Sequence, residues 1–304
     1  MSHFSVMVIG NPFQTLEQQL APFHEFECTG INDQYVQDVD ITDDVQAEVD
    51  RFLMKGSENP LQEALEWYGY EKRLLEEEDD VEIEGVHKYG YVIVEEGKLV
   101  QAVRRTNPNA KWDWWVLGGR WTGFLKLKDD GKSLALVGEP GLFTSRAERG
   151  FADASRKGEI DWEGMRDKGG SEAAQKWDGV RAIAPQVWES WESVLARYGS
   201  ENIDQAREFY HNQEGRRAVQ ANNEYTFMGD EILVSREEYV NEARKKAVTP
   251  FAILHDGQWI ERGKMGWFAS VYDETPKDEW YEKAEDLLDN VSDDTMIYVV
   301  DCHI

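Results

Sequence analysis

The stretch KWDWWVLGGRWTGFLKLK, Lys111 to Lys128, decides how the rest of the chain is read. Four tryptophans, a glycine pair and an arginine fall within it. Val116 and Leu117 precede Gly118 and Gly119, and Phe124, Leu125 and Leu127 follow, so the pattern predicts strand, tight glycine bend, strand. A large aromatic side chain buries on the order of 150–250 Å². Trp112, Trp114, Trp115 and Trp121 can therefore anchor a domain core. They can also wall a partner site in which Arg120 and the glycine backbone hold an anion, although one arginine and two glycines match no phosphate-binding fingerprint.

Towards the N-terminus, residues 89–94 and 99–104 alternate around Glu95-Glu96-Gly97-Lys98, a hairpin signal. On the other side of the stretch, Asp129-Asp130-Gly131-Lys132 reads as a turn leading to residues 134–137, so residues 80–138 are expected to form one compact antiparallel unit. Phe4, Val6, Val8 and Ile9 make an opening strand, ended by Gly10-Asn11-Pro12, and residues 16–20 suggest a turn or two of helix. Residues 22–40 read as irregular or edge structure. Thr42 and Asp43 can cap a helix carrying Val45, Val49, Phe52 and Leu53. A second helix is expected from Asn59-Pro60 through Leu61, Leu65, Tyr68 and Leu75, ending in Glu76, Glu77, Glu78, Asp79 and Asp80. Those five acids oppose the helix macrodipole, and read either as a solvated helix end or as a docking surface for arginine and lysine.

Beyond Ser145 the spacing becomes helical. Residues 145–182 read as short helices or loops, Val187 to Tyr198 as an amphipathic helix closed by Gly199, and residues 203–221 as another. Ser235 and Glu238 form a capping-box pattern for one more. Strands return at residues 251–254, 259–261 and 267–272. A last helix carries Trp280, Ala284, Leu287 and Leu288, and residues 296–300 form a closing strand expected beside the first. The fold class is α+β: an antiparallel or mixed sheet body from residues 1–144 and 250–304, with residues 145–249 as a helical insertion.

Sixty acidic and 33 basic residues give a formal net charge of -27. Residues 1–100 carry 23 acids and 6 bases, residues 101–200 carry 14 and 16, and residues 201–304 carry 23 and 11. The middle is thus neutral between two acidic flanks. Such a field repels nucleic acid and anionic membranes and favours basic partners. It also serves solubility alone. With two cysteines, no basic-then-apolar leader and no long apolar window, a reduced, cytoplasmic protein is expected.

No Walker A stretch, GxGxxG, GxSxG, HExxH, EF-hand loop or CxxC pair occurs, and no cofactor is expected. His3, His24, Cys28, Cys302 and His303 are the best metal or catalytic candidates. Adjacent strand residues point to opposite faces, however, so Cys302 and His303 cannot readily share one ion, and a buried thiol with ordinary histidines is expected. Asp38, Asp40, Asp43 and Asp44 could bind a hard cation or simply form a solvated acidic edge.

Gly118 to Lys128, Asn109 to Trp114, the opening HFSVMVIG, Leu20 to Gly30 and the closing VDCHI together resemble a family of uncharacterised bacterial and phage proteins. Size, acidity and the GGRW core also resemble the phage Gabija anti-defence proteins. That resemblance implies an acidic, non-enzymatic homo-oligomer that binds a bacterial anti-phage nuclease complex and blocks its use of DNA. Its candidate contact residues are Arg120, Trp112, Trp114, Trp115 and the run Glu76 to Asp80. The alternative is a small-molecule or nucleotide-processing enzyme using the Arg120 region.

Overall fold

The computed structural model describes residues 2–25, 33–68, 74–75, 90–128, 135–266 and 270–304. The chain begins with β1 (His3–Ile9), then α1 (Leu16–Leu20), started by a capping box between Thr15 and Gln18. A second group follows: β2 (Gln37–Asp40), α2 (Thr42–Met54), α3 (Pro60–Trp67), with proline at the first turn where no amide hydrogen is needed, β3 (Leu74–Leu75), β4 (Gly90–Glu95) and β5 (Lys98–Thr106). Then come β6 (Trp114–Gly119), β7 (Leu125–Lys126), β8 (Glu139–Pro140), β9 (Phe151–Ala152) and β10 (Ala154–Arg156). The helical segment holds α4 (Trp162–Ile183), α5 (Trp191–Tyr198), α6 (Ile203–Asn212), α7 (Glu214–Gln220) and α8 (Arg236–Lys246). β11 (Ala252–His255), β12 (Gln258–Glu261), β13 (Lys264–Met265), β14 (Val271–Tyr272), α9 (Lys277–Asp289) and β15 (Met296–His303) complete an α+β fold.

From Met296 to Val300 β15 lacks polar alternation, the pattern of a strand covered on both faces, and only Asp301 and His303 at its end alternate. It pairs antiparallel with β1 along its whole length, from His3 opposite His303 to Ile9 opposite Ile297. β1 continues to β11 in parallel, and β11 to β12 through a turn with Asp256 and Gly257 at positive φ. Two strands share the other edge of β15 end to end: β10 along residues 296–298 and β6 along residues 300–303. β8 lies parallel on β6 as the last strand. Met7, Ile9, Ile253, Ile297 and Val299 face one way, onto Trp280, Ala284 and Leu288 of α9. Phe4, Val6, Val8, Leu254, Val300 and Cys302 face the other, onto Leu20, Phe23 and Trp112.

The residue 80–138 unit does not form as read. β4 and β5 make the expected hairpin, with Glu96 and Gly97 at positive φ, but it belongs to a separate sheet of order β2-β5-β4-β3. Ile41, Val45, Leu65, Val92 and Ala102 form the core of that sheet. β6 instead joins β15, and β7 pairs with β9, so Gly118 and Gly119 do not close a hairpin. The helix read through Leu75 stops at Trp67, and Leu74–Leu75 is a short strand beside β4. The acidic run Glu76 to Asp80, Cys28 and the turn at residues 129–132 lie outside the described residues.

Within the segment read as helical, β10 joins the main sheet, and residues 162–183 form one continuous helix. Gly169 and Gly170 let α8 approach closely: a Cβ at Gly169 would sit 2.8 Å from that of Ala247. Asp230 ties the smaller helices together, accepting from Trp188 Nε1, Trp191 N and Tyr210 Oη at 2.8, 2.6 and 2.6 Å. Burial and the Asp230 carboxylate push the Tyr210 phenol up to about 12.

Trp280 is 1% exposed and donates through Nε1 to the Pro250 carbonyl, whereas Trp121 is only half-buried against the same core. Trp280→Ala is expected to lower the unfolding free energy by about 3–5 kcal/mol. Trp121→Ala is expected to cost clearly less, and urea denaturation of the two variants checks the order.

Candidate functional site at the glycine bend

The glycine pair is required by two buried carboxylates. Gly118 and Gly119 have φ of 78° and 56°, conformations that side chains disfavour. A Cβ at Gly118 would lie 2.6 Å from Asp153 Oδ2, and one at Gly119 2.5 Å from Asp301 Oδ2. Asp153, wholly buried between β9 and β10, accepts from Gly123 N at 2.6 Å, Gly138 N at 2.8 Å and Thr122 Oγ1 at 3.1 Å. Asp301, 1% exposed, accepts from Arg120 N at 2.9 Å. The bend is thus wrapped round the two side chains. Residues 138–144 pack along its outside, where Gly141 N and Thr144 Oγ1 donate to the Gly119 carbonyl at 2.8 and 3.1 Å.

Asp301 also holds a histidine. His3 and His303 are register partners and so share a face of the sheet, and Asp301, two residues before His303, lies on that face too. His3 Nδ1 lies 2.9 Å from Asp301 Oδ1, and His303 Nδ1 lies 2.7 Å from Asp113 Oδ1. A carboxylate only accepts, so each Nδ1 carries a hydrogen, and in the neutral ring Nε2 is the basic nitrogen; neither Nε2 has a hydrogen-bond partner among the described residues. The two imidazole centroids are 4.9 Å apart, edge to face. Trp114, across from His303 on β6, stacks on its ring at 5.1 Å and meets His3 edge-on at 5.3 Å. Trp114 N in turn donates to Asp113 Oδ1 at 2.7 Å. An imidazole whose Nδ1–H is fixed on a carboxylate is an acid–base unit presenting Nε2. Two such units stand side by side here.

The tryptophan candidates separate by position. Trp112 is buried with Phe23 and Cys302, and Trp115 is half-buried in the same cluster. Only Trp114 is exposed, on the histidine face. Arg120 is exposed, and its guanidinium makes no hydrogen bond or ion pair among the described residues. Among the other candidates, Cys302 points away from His3 and His303, and burial, with Asp301 and Asp113 adding, pushes its thiol well above its ordinary value. His24 Nε2 lies 2.8 Å from the Asp113 carbonyl. Among the described residues no group of three or more His, Cys, Asp or Glu is arranged to hold a metal ion. The Asp38–Asp40 pair does local work: Asp38 binds Arg105, while Asp40 accepts from both N and Oγ1 of Thr42, which holds its carboxyl below the ordinary value.

Asp153 and Asp301 escaped the sequence reading. The alternation in VDCHI does place Asp301 and His303 on one face, but nothing local marks Asp153, whose donors come from residues 122, 123 and 138.

Fold and site together define an α+β protein whose two chain ends meet in a paired histidine–aspartate cluster behind a glycine bend. No family model, no curated protein and no solved structure matches the chain.

Gly97 has nearly the same φ as Gly118, 75° against 78°, but its added Cβ would meet nothing within 4 Å. Gly97→Ala is expected to cost about 1–2 kcal/mol, for conformation alone. Gly118→Ala, which also drives a methyl onto Asp153, is expected to cost at least twice as much, read from chemical denaturation.

Proposed function

We propose that the chain acts by binding: it covers a basic surface of a bacterial anti-phage nuclease complex of the Gabija kind and blocks DNA binding there without catalysis. The observation that carries this reading is the sheet edge beside Arg120. Leu142 and Phe143 are each 86% exposed, and Leu136 and Val137 precede them on the same edge segment. Contiguous exposed apolar side chains of this kind mark interaction sites. β8 is a terminal strand only two residues long, so the edge carries side-chain contacts rather than a long unpaired backbone. A formal charge of -27 supplies the long-range attraction to a basic partner, and the same edge suits a second copy of the chain in a symmetric homo-oligomer. Candidate contacts are Arg120, Trp114, Leu142 and Phe143, with Glu76 to Asp80 contributing to steering.

Leu142 and Phe143 make almost no contribution to the core, so Leu142→Glu with Phe143→Glu is expected to leave the melting curve unchanged. Binding to the purified nuclease complex, read by surface plasmon resonance, is expected to weaken about tenfold or more. Unaltered binding by the variant, or no binding by the wild type, overturns the reading.

A second reading, a small-molecule or nucleotide-processing enzyme using the Arg120 region, is favoured by one observation: the two His–Asp pairs next to the Arg120 backbone. On that reading His3→Gln and His303→Gln each reduce turnover of a nucleotide and phosphoester panel by about 10²-fold or more. Absence of turnover by the wild-type chain removes it.

A further inference from the structure

A cleft of about 670 Å³ separates the α4–α8 pair from α9 and the end of the main sheet. Its size is that of a small-molecule site. Its floor reaches β1 at Ser5, the register partner of Asp301. Trp121 and Phe124, from the loop after the glycine bend, are half-buried against the main core and line the cleft with what remains of their rings. Two aromatic side chains in a concave site give a planar ring apolar surface to pack against.

The charge of the cleft differs from that of the chain. Acids outnumber bases 60 to 33 overall, yet Lys176, Lys246, Arg262 and Lys277 line the cleft against Glu172, Glu231 and Glu242. Glu242 is paired with Lys277 Nζ at 2.7 Å, while Glu231 accepts from the Gly229 amide at 2.9 Å and keeps its charge. Arg262 is steadied from outside the cleft by Glu274. Lys176 and Lys246, on α4 and α8, make no ion pair among the described residues. A chain this acidic has little electrostatic reason to leave two lysines unpaired about one cavity, and in a concave site their fields add.

We propose that this cleft binds a small planar organic anion, its ring against Trp121 and Phe124 and its carboxylate or phosphate held by Lys176, Lys246 and Arg262. The inference rests on neither reading of the function above. Trp121 belongs to both the cleft and the glycine bend, where its backbone N–H donates to the Gly118 carbonyl at 2.9 Å. Occupancy of the cleft is therefore expected to register in tryptophan fluorescence.

The test is calorimetric titration of the full chain, with fluorescence in parallel. Adenosine monophosphate and 4-hydroxybenzoate are the two anions, and adenosine and inorganic phosphate are the half-ligand controls. One of the two anions is expected to bind saturably with a Kd below about 1 mM, and which of them binds identifies phosphate or carboxylate as the head group. Adenosine and phosphate alone are each expected to bind at least about tenfold more weakly than the anion that binds. The exposed pair Lys176→Ala with Lys246→Ala is expected to keep the wild-type melting curve and weaken binding about tenfold. Trp121→Phe is expected to retain binding that Trp121→Ala loses. The proposal is overturned if neither anion binds, if either control binds as well as its parent anion, or if the double lysine variant binds like the wild type.

Discussion

A carboxylate withdrawn from water costs several kcal/mol unless donors replace its hydration, and the main sheet of this protein contains two of them at its polar end. Asp153 recovers three donors and Asp301 two, and the donors come from distant segments: residues 122, 123 and 138 for one, residues 3 and 120 for the other. Backbone amides supply three of the five, so the loop geometry is specified by hydrogen bonding rather than by apolar contact. This is why β6 ends where it does. A hairpin at Gly118–Gly119 would turn those amides towards a partner strand and leave both carboxylates short of donors.

The same constraint brings the chain ends together. β15 carries Asp301 and His303 only because its other residues, Ile297, Val299, Val300 and Cys302, bury both faces of the strand. Their burial holds the register that sets His3 opposite His303. A slip of one residue would exchange the faces, sending Asp301 into the apolar layer with Phe23 and Trp112 and bringing Cys302 to the histidine side. Trp114 and Trp115 obey the same parity: they look alike in the sequence, yet one is open over the imidazoles and the other half-buried in the opposite layer, because β6 is registered on β15. Trp112, before β6 begins, is held in the core by its bridge to His24 instead.

What could be read from the sequence follows from how local the controlling interaction is. The Glu96-Gly97 hairpin, the Ser235–Glu238 capping box and the apolar strands at both chain ends were legible, each being set by neighbours a few residues away. α4 was not legible as one helix. Gly169 and Gly170, which cost helix propensity, face Ala243 and Arg244 on α8 and Ala247 at its end, so their value appears only when the two helices pack. Leu74–Leu75 fitted a helical spacing equally well until β4 offered a parallel partner. Ala154–Arg156 has no strand signature at all and is a strand because Met296–Tyr298 would otherwise be an open edge. The site was half legible. The Asp301–His303 alternation and the glycine pair were visible, but the pairing of each histidine with its own carboxylate needed the register, and Asp153 needed three non-local donors.

Charge and contact surface are divided between different parts of the chain. Residues 1–100 and 201–304 carry net charges of -17 and -12, while residues 101–200 are at +2. That middle third holds the glycine bend, Trp114, Arg120 and the exposed Leu142 and Phe143. On the proposed binding role the division has a physical sense. Long-range attraction needs only net charge somewhere on the molecule, and it acts on the encounter rate. A close contact, in contrast, gains from groups that lose little on desolvation, such as aromatic rings, aliphatic side chains and an arginine, and it is weakened by buried carboxylates without partners. Placing the acids on the flanks and leaving the bend nearly neutral supplies attraction without charging the contact face, and the acids actually buried at the bend already have their donors within the chain.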